Sequence, residues 1–267
     1  MSERIRVLVS GARGKVGREV IKAVLGDNTL ELVAAVDHNG VGEDAAVLAG
    51  LPACGVLLQG DLAAAITETQ PQVMVDFTSP ASVMENVRIA LMAGVAPVVG
   101  TTGLSAKDME EIAEWAAAKE IGCLIAPNFA IGALLMMRFA RDAARFFPNV
   151  EIIEYHHDQK LDAPSGTAIK TAELIREERR AIRQGHPEEE EKIAGSRGGE
   201  FDGMRIHSVR LPGLVAHQEV IFGALGQTLS IRHDSISRES FMPGVLEAIH
   251  RIGAYKGLIY GLDKIIF

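Results

Sequence analysis

The first forty residues constrain the fold most strongly, because they combine an apolar strand, a glycine turn and a helical pattern. The run Arg4–Ser10 is typical of a buried strand, and the turn Gly11–Gly17 after it leads into apolar residues at helical spacing. A second apolar run, Leu30–Val36, ends in Asp37. The turn has the spacing G-x-x-G-x-x-G instead of G-x-G-x-x-G. The order of these elements, a strand, a glycine turn, a helix, a second strand and an acidic residue, still predicts a Rossmann unit that binds a dinucleotide.

Charged residues near Asp37 leave the choice of dinucleotide open. The carboxylate of Asp37 can accept hydrogen bonds from an adenosine ribose and repels a 2′-phosphate, which favours NADH. Arg13, Lys15 and His38 can offset this repulsion, although Arg13 and Lys15 are equally compatible with solvated loop charges. The sequence therefore predicts NADPH or NADH.

Strands and helices alternate until about residue 130. Ser79-Pro80 predicts the N-cap and first turn of a helix that ends near Ala93, and Ser105–Asp108 resembles a capping box. Such alternation indicates a parallel sheet with helices on both faces, in which ligands bind beyond the carboxyl ends of the strands. Four segments follow predicted strands in this way: Gly11–Gly17, Phe77–Pro80, Gly100–Gly103 and Pro127–Phe129.

Beyond residue 130, consecutive strand patterns appear without helices between them. Helical patterns cover residues 131–146 and 167–178, and strand patterns cover residues 150–155, 205–210, 215–222 and 227–233. This order indicates an α+β domain with a largely antiparallel or mixed sheet. A last helix, residues 241–253, is expected to pack back on the first domain. We predict an α/β protein with an N-terminal Rossmann dinucleotide-binding domain (1–129 and 239–267) and a C-terminal α+β domain with a mixed sheet (130–238).

The segment Glu154–Ala168 concentrates side chains that can take part in chemistry. Two imidazoles, an ammonium group and a small-residue turn lie where a strand pattern passes into a helix, so they are predicted on the connection between the two elements. The N–H groups and hydroxyls of the helix start can bind a carboxylate, with the ammonium as a second positive partner. A site for a small anion is therefore predicted at His156, His157, Lys160, Ser165, Gly166 and Thr167.

Two other groups of residues allow alternatives. His156, His157 and Asp158 are possible metal ligands, but adjacent residues on an extended segment point to opposite faces and chelate one ion poorly, so we predict no metal site. Arg197, flanked by glycine, either closes over an anion or is simply exposed.

Charge and composition argue against several classes of protein. The net charge is −8, and no basic run carries interleaved aromatic residues, so a nucleic-acid partner is not expected. No apolar stretch reaches the roughly 18 residues of a membrane span, and no signal-peptide pattern precedes the first strand. We expect a cytoplasmic protein that does not bind membranes.

These motifs together resemble one enzyme family. The glycine turn, Asp37, the segments after the predicted strands, Glu154–Ala168 and Arg197-Gly198-Gly199 occur in the order seen in dihydrodipicolinate reductases. The resemblance spans essentially the whole chain. It implies an NAD(P)H-dependent oxidoreductase that reduces 4-hydroxy-tetrahydrodipicolinate, a small dicarboxylate, in lysine and diaminopimelate biosynthesis. It also implies a homotetramer formed through the second domain, for which the strand Glu219–Phe222 is a candidate, although ordinary core packing explains this strand equally well.

The resemblance also implies roles for particular residues. His156 matches the family's proton donor, and Lys160 is a second acid. His157, Lys160, Gly166 and Thr167 are expected to hold the substrate, and we place Ser165 and Thr102 with them. The expected cofactor contacts are Gly11, Ala12, Arg13, Gly14, Lys15, Val16, Asp37, His38, Gly100, Thr101, Thr102, Ala126, Pro127, Asn128 and Phe129.

Two other classes of protein share part of this pattern. A dehydrogenase of the aspartate or homoserine type would have the first domain but would not need the paired histidines. A dinucleotide sensor without catalytic activity would keep the glycine turn and could lose His156 without penalty.

Overall fold

The computed structural model describes residues 4–267, so the first three residues of the predicted N-terminal domain lie outside it. The chain forms two compact units, unit 1 (residues 4–129 and 238–267) and unit 2 (residues 130–237). No helix within residues 4–267 has both the length and the apolar character needed to cross a bilayer.

The regular elements are numbered in chain order. The strands are β1 (Ile5–Ser10), β2 (Leu30–Val36), β3 (Leu58–Gln59), β4 (Val73–Asp76), β5 (Ala96–Val99), β6 (Gly122–Ile125), β7 (Asn149–His156), β8 (Gly199–Phe201), β9 (Met204–Arg210), β10 (Ala216–Ala224), β11 (Gln227–Ser235) and β12 (Gly257–Tyr260). The helices are α1 (Lys15–Gly26), α2 (Ala45–Leu48), α3 (Leu62–Thr69), α4 (Val83–Met92), α5 (Ala106–Lys119), α6 (Ile131–Ala144), α7 (Gly166–Glu178), α8 (Met242–Ile252) and α9 (Asp263–Ile266).

Unit 1 is built on a seven-stranded parallel sheet in the order β12-β6-β5-β4-β1-β2-β3. The central strand β1 is apolar because both faces are covered, and Val7, Leu8 and Val9 are fully buried. The strand order reverses between β1 and β4. In parallel sheets a crevice for ligands opens at this point, beyond the carboxyl ends of the two strands.

The C-terminal part of the chain completes unit 1. Helix α8 contacts α1, β5 and β6, as expected for the predicted returning helix, and β12 pairs with β6 at the edge of the sheet. The sequence pattern did not reveal β12, which has only four residues.

The capping box before α5 is confirmed, because the Ser105 and Asp108 side chains each accept the other residue's backbone N–H. The predicted start of α4 is wrong. This helix begins at Val83, after a turn in which the Ser79 carbonyl accepts the N–H groups of Ser82 and Val83 (both 3.0 Å). The chain is fixed before this turn, because the N–H of Thr78 donates to the hydroxyl of Thr101 (2.8 Å).

Unit 2 contains a five-stranded mixed sheet in the order β11-β10-β7-β9-β8. Only β7 and β9 pair in parallel, and the other neighbours are antiparallel. Helices α6 and α7 pack against each other, α6 against β11 and α7 against β7. The predicted fold class, a Rossmann unit followed by an α+β unit with a mixed sheet, is confirmed.

The close approach of α1 to the glycine turn generates a prediction. A Cβ at Gly17 would overlap the carbonyl group of Gly11, so we expect Gly17→Ala to push helix and turn apart and to destabilise unit 1 by about 1–3 kcal/mol. Urea unfolding followed by the fluorescence of Trp115, the single tryptophan, reports on this unit.

Gly26→Ala, at the other end of α1, is the matched control. Apart from the adjoining backbone of α1 and the neighbouring residues, no atom lies within 4 Å of a Cβ at Gly26, so this substitution should be neutral or stabilise by less than about 1 kcal/mol. Equal unfolding midpoints for the two variants would contradict the packing argument.

Candidate active site

The glycine turn leaves the start of α1 open to a ligand. Gly11 has a φ of +78°, and a Cβ there would overlap the carbonyl group of Phe77. Gly14, at the N-cap position, brings no capping side chain. N–H groups in the first turn of a helix have no intrahelical acceptor and carry partial positive charge. The turn can therefore receive a phosphate of a dinucleotide.

Asp37 is fixed by the backbone on both sides of its carboxylate. Oδ2 accepts the N–H of Arg13 (3.0 Å), and Oδ1 accepts the N–H of Asn39 (3.1 Å). The Arg13 guanidinium does not pair with Asp37. Its Nη2 lies 3.6 Å from Oε1 of Glu43, and both side chains are nearly half exposed. Glu43 therefore competes with any phosphate for this guanidinium.

A fully buried carboxylate organises the carboxyl ends of β4 and β5. Oδ1 of Asp76 accepts the hydroxyls of Thr78 and Thr101 (both 2.7 Å), and Oδ2 accepts the amide of Asn86 (2.8 Å). The sequence patterns indicate the segments around these threonines as parts of the site, but not Asp76 or Asn86. Asp76 could have been recognised from the sequence, because it is an acidic residue at the end of an otherwise apolar strand pattern.

The predicted cofactor residues occupy different positions around this crevice. Neighbouring clefts of unit 1 are lined by Gly11, Gly14, Lys15, Val16, Asp37, His38, Gly100, Thr101, Thr102 and Pro127. Ala12, Ala126 and Phe129 are buried, and the Phe129 ring packs on Phe77 with 5.6 Å between centroids. Arg13 is exposed and Asn128 is half-buried, and neither lines these clefts.

In unit 2, His156 is the last residue of β7, so the prediction that it lies on the connection after this strand is wrong. His156 pairs with Ala216 of β10 and with Arg210 of β9. These pairings extend β7 by one residue beyond the end of the predicted strand pattern at residue 155. Glu154 and His156 share one face of β7, because residues two apart in a strand point the same way. The peptide bond Ala163–Pro164 in the following loop is cis.

The carboxylate of Glu154 joins this strand to the start of α7. Its Oε2 lies 2.5 Å from Nδ1 of His156, and its Oε1 accepts the N–H of Ser165 (3.2 Å), the N-cap residue of α7. Arg210 donates to both oxygens (2.8 and 2.7 Å). Burial alone would raise the pKa of Glu154, but hydrogen bonds from His156, Arg210 and Ser208 outweigh it and hold this pKa at about 2.

Four other predicted substrate residues, His157, Lys160, Gly166 and Thr167, lie in the same segment, whereas Thr102 lies in unit 1. The Lys160 ammonium is largely covered and lies 2.6 Å from Oδ1 of Asp162. His157 and Gly166 are exposed, and Thr167 is half-buried in the first turn of α7. The segment thus combines positive side chains with a helix N-terminus, which suits a carboxylate.

Arg197 is neither exposed nor free to close over an anion. Its guanidinium donates to both oxygens of Glu151 (3.3 and 2.6 Å) and lies 2.7 Å from Glu189. Within residues 4–267, no group of three or more His, Cys, Asp or Glu side chains could hold a metal ion.

Arg210 and Asp162 were missed as members of the site. Arg210 reaches Glu154 only because β9 pairs with β7, and it also donates to the carbonyl of Asp162 (2.8 Å). No local pattern marks a residue that far along the chain as a partner of Glu154.

The low pKa of Glu154 generates a stability prediction. Because its pKa falls from 4.5 to about 2 on folding, the ionised carboxylate stabilises the fold above about pH 4.5, and this stabilisation disappears as the pH falls towards about 2. The full contribution is about 3 kcal/mol. Urea unfolding followed by circular dichroism should therefore show a steeper loss of stability in acid for the wild type than for Glu154→Gln. Parallel pH dependences of the two proteins would contradict the assignment.

Comparison with known proteins places the chain in a family. A family model described as dihydrodipicolinate reductase, N-terminus, matches residues 5–129, and the corresponding C-terminus model matches residues 132–266. The 4-hydroxy-tetrahydrodipicolinate reductase of Desulfitobacterium hafniense (strain DSM 10664 / DCB-2) is 54% identical over 265 residues, which cover 99% of both chains. The enzyme of that name from Moorella thermoacetica is 51% identical over 270 residues, covering 100% of this chain and 99% of that protein.

A solved structure agrees with these matches. The dipicolinate-bound dihydrodipicolinate reductase from Paenisporosarcina sp. TG-14 superposes with a TM-score of 0.88 and 47% identity, covering 98% of this chain and all of that one. An amine dehydrogenase from Mycobacterium smegmatis, with a TM-score of 0.69 and 14% identity, shares the fold alone. The resemblance inferred from the motifs is thus confirmed, and the chain belongs to the dihydrodipicolinate reductase family.

Proposed function

We propose that the protein catalyses the NAD(P)H-dependent reduction of 4-hydroxy-tetrahydrodipicolinate (dihydrodipicolinate) to tetrahydrodipicolinate, a step of lysine and diaminopimelate biosynthesis. The observation that carries this proposal is the arrangement at the end of β7, where His156 and Lys160 lie in one segment with the N-terminus of α7. An imidazole, an ammonium group and the N–H groups at a helix N-terminus suit a dicarboxylate that must also be protonated.

Unit 1 is proposed to bind the dinucleotide. The open start of α1 receives the pyrophosphate, Asp37 accepts hydrogen bonds from the ribose, and the segments 100–102 and 126–129 complete the site. When bound, the reduced dinucleotide supplies the hydride.

Unit 2 is proposed to bind the substrate and donate the proton. The N–H groups of Gly166 and Thr167, with His157 and Lys160, hold the carboxylates. Loss of water from the 4-hydroxy compound leaves a conjugated C=C–C=N system, and hydride addition to its carbon end leaves negative charge on the nitrogen and the adjacent carbon. His156 donates a proton that neutralises this charge, and the ammonium group of Lys160, in the same segment, stabilises the negative charge on the substrate.

We also propose that the protein is a homotetramer and that it is cytoplasmic. Within β10, Val220 and Phe222 are fully buried core residues, whereas Ile221, between them, is only half-buried on the opposite face of the sheet. The face with Ile221 is the part of this strand suited to contact another subunit.

The roles of the two acids differ, and kinetics can separate them. We expect His156→Gln to lower kcat by about 10²–10³-fold with little change in KM, because proton transfer matters only in the transition state. Lys160→Ala should lower kcat and also raise the KM for the dicarboxylate by about tenfold, because its charge also binds the ground state. Oxidation of NADH and NADPH is followed with substrate generated from pyruvate and aspartate semialdehyde by the preceding synthase.

Lys170→Ala is the matched control, because Lys170 lies on α7 in an exposed pair with Glu173 and should have no effect. Small, equal effects of His156→Gln and Lys160→Ala would remove the role assignment. Absence of turnover by the folded wild type with either dinucleotide would overturn the proposed reaction.

Glu43 should influence the choice of dinucleotide. Because Glu43 pairs with the guanidinium of Arg13, the residue whose backbone N–H binds Asp37, Glu43→Gln should free this charge for a 2′-phosphate. An exposed ion pair is worth about 0.2–1 kcal/mol, so the ratio of kcat/KM for NADPH over NADH should rise by about 1.4- to fivefold.

Glu31→Gln serves as the control for this ratio. Glu31 also pairs with arginines, but it lies at the start of β2, away from Asp37 at the strand's other end. An unchanged ratio in Glu43→Gln would show that Arg13 does not approach the ribose.

A further inference from the structure

The carboxylate of Glu154 has more partners than its ion pair with Arg210 requires. It is fully buried, yet besides two guanidinium nitrogens of Arg210 it accepts a hydrogen bond from the N–H of Ser165 (3.2 Å). Nδ1 of His156 lies 2.5 Å from Oε2. These contacts satisfy the carboxylate and hold β7, β9 and α7 to one another.

An ionised carboxylate can only accept hydrogen bonds, so the close Nδ1 atom of His156 must carry a proton. The ring is thereby fixed in one orientation, and Nε2 is the remaining atom that can exchange a proton. When Nε2 gives up its proton, its electron pair stays on the ring, and the neutral imidazole keeps its proton on Nδ1.

The same network reaches the residues proposed to hold the substrate. Oε1 of Glu154 fixes the N–H of the N-cap residue Ser165. Arg210 continues to the carbonyl of Asp162 (2.8 Å), whose carboxylate lies 2.6 Å from the Lys160 ammonium. The ion pair of Glu154 and Arg210 therefore sets the positions of the His156 imidazole, the Lys160 ammonium and the N-terminus of α7.

We propose that Glu154 is a positioning residue for the reduction, which selects the Nδ1-protonated tautomer of His156 and makes Nε2 the atom that delivers the proton. This inference rests on the proposed role of His156. The reaction remains balanced, because the dinucleotide is oxidised as its hydride reduces the substrate, and the Nε2–H bond breaks as the proton joins the substrate.

Glu151 provides a matched control on the same strand. It is bound in the same way, by Arg197 (2.6 and 3.3 Å) and by Nε2 of His207 (2.8 Å). It lies on the opposite face of β7, its side chain is 32% exposed, and its partners lie outside the proposed site.

The first test compares kinetics of Glu154→Gln and Glu151→Gln in the coupled assay. Loss of the buried charge should lower kcat by about 10–100-fold in Glu154→Gln while leaving the Kd of the dinucleotide unchanged. Glu151→Gln should retain the wild-type kcat. Equal kcat values in the two variants would overturn the proposal.

The second test measures the tautomer of His156 directly, by two-bond ¹H–¹⁵N correlation spectra of the wild-type protein. We expect the neutral ring to carry its proton on Nδ1, and Glu154→Gln to populate the Nε2-protonated form. A wild-type ring protonated mainly on Nε2 would overturn the proposal. The wild-type spectrum alone needs neither turnover nor a variant, so it separates failure of the positioning role from failure of the proposed reaction.

Discussion

Burial of a carboxylate at the end of a strand is the constraint on which both units depend. Asp76 ends β4 in unit 1, and Glu154 lies two residues before the end of β7 in unit 2; neither side chain is exposed. A buried charge without partners is costly, so each site must bring donors from several elements to the same point. Asp76 gathers threonines from two segments and the amide of Asn86, whereas Glu154 gathers Arg210 and His156.

This constraint explains why the reactive groups lie beside stable elements. The loops after β4 and β5 are tied to Asp76, so a dinucleotide crevice at the switch point between β1 and β4 has rigid walls. The turn before α7 is tied to Glu154 through Ser165. Because hydrogen bonds to Asp76 and Glu154 already fix these loops and turns, their residues lose little conformational entropy when a ligand binds.

The sequence predicted most of the fold because local patterns encode it. Alternating strands and helices specify the Rossmann unit, and the consecutive strands after residue 130 specify the mixed sheet. The start of α4 was misplaced because Ser79-Pro80 has the composition of a helix start, while hydrogen bonds to Asp76 and Thr101 hold Thr78, just before it, outside the helix. The candidate residues of the segment 154–168 were identifiable because they are contiguous. Arg210 was not, because only strand pairing across unit 2 brings it to Glu154.

The central claim is that unit 2 holds a dicarboxylate at the N-terminus of α7, and hydrogen–deuterium exchange tests it directly. The planar analogue pyridine-2,6-dicarboxylate is added to protein already saturated with dinucleotide, so that the start of α1 is occupied. The account predicts slower exchange in peptides that cover residues 157–171, with the matched segment 149–154 of β7 unchanged. Unchanged exchange at 157–171, or slowing confined to unit 1, would contradict it.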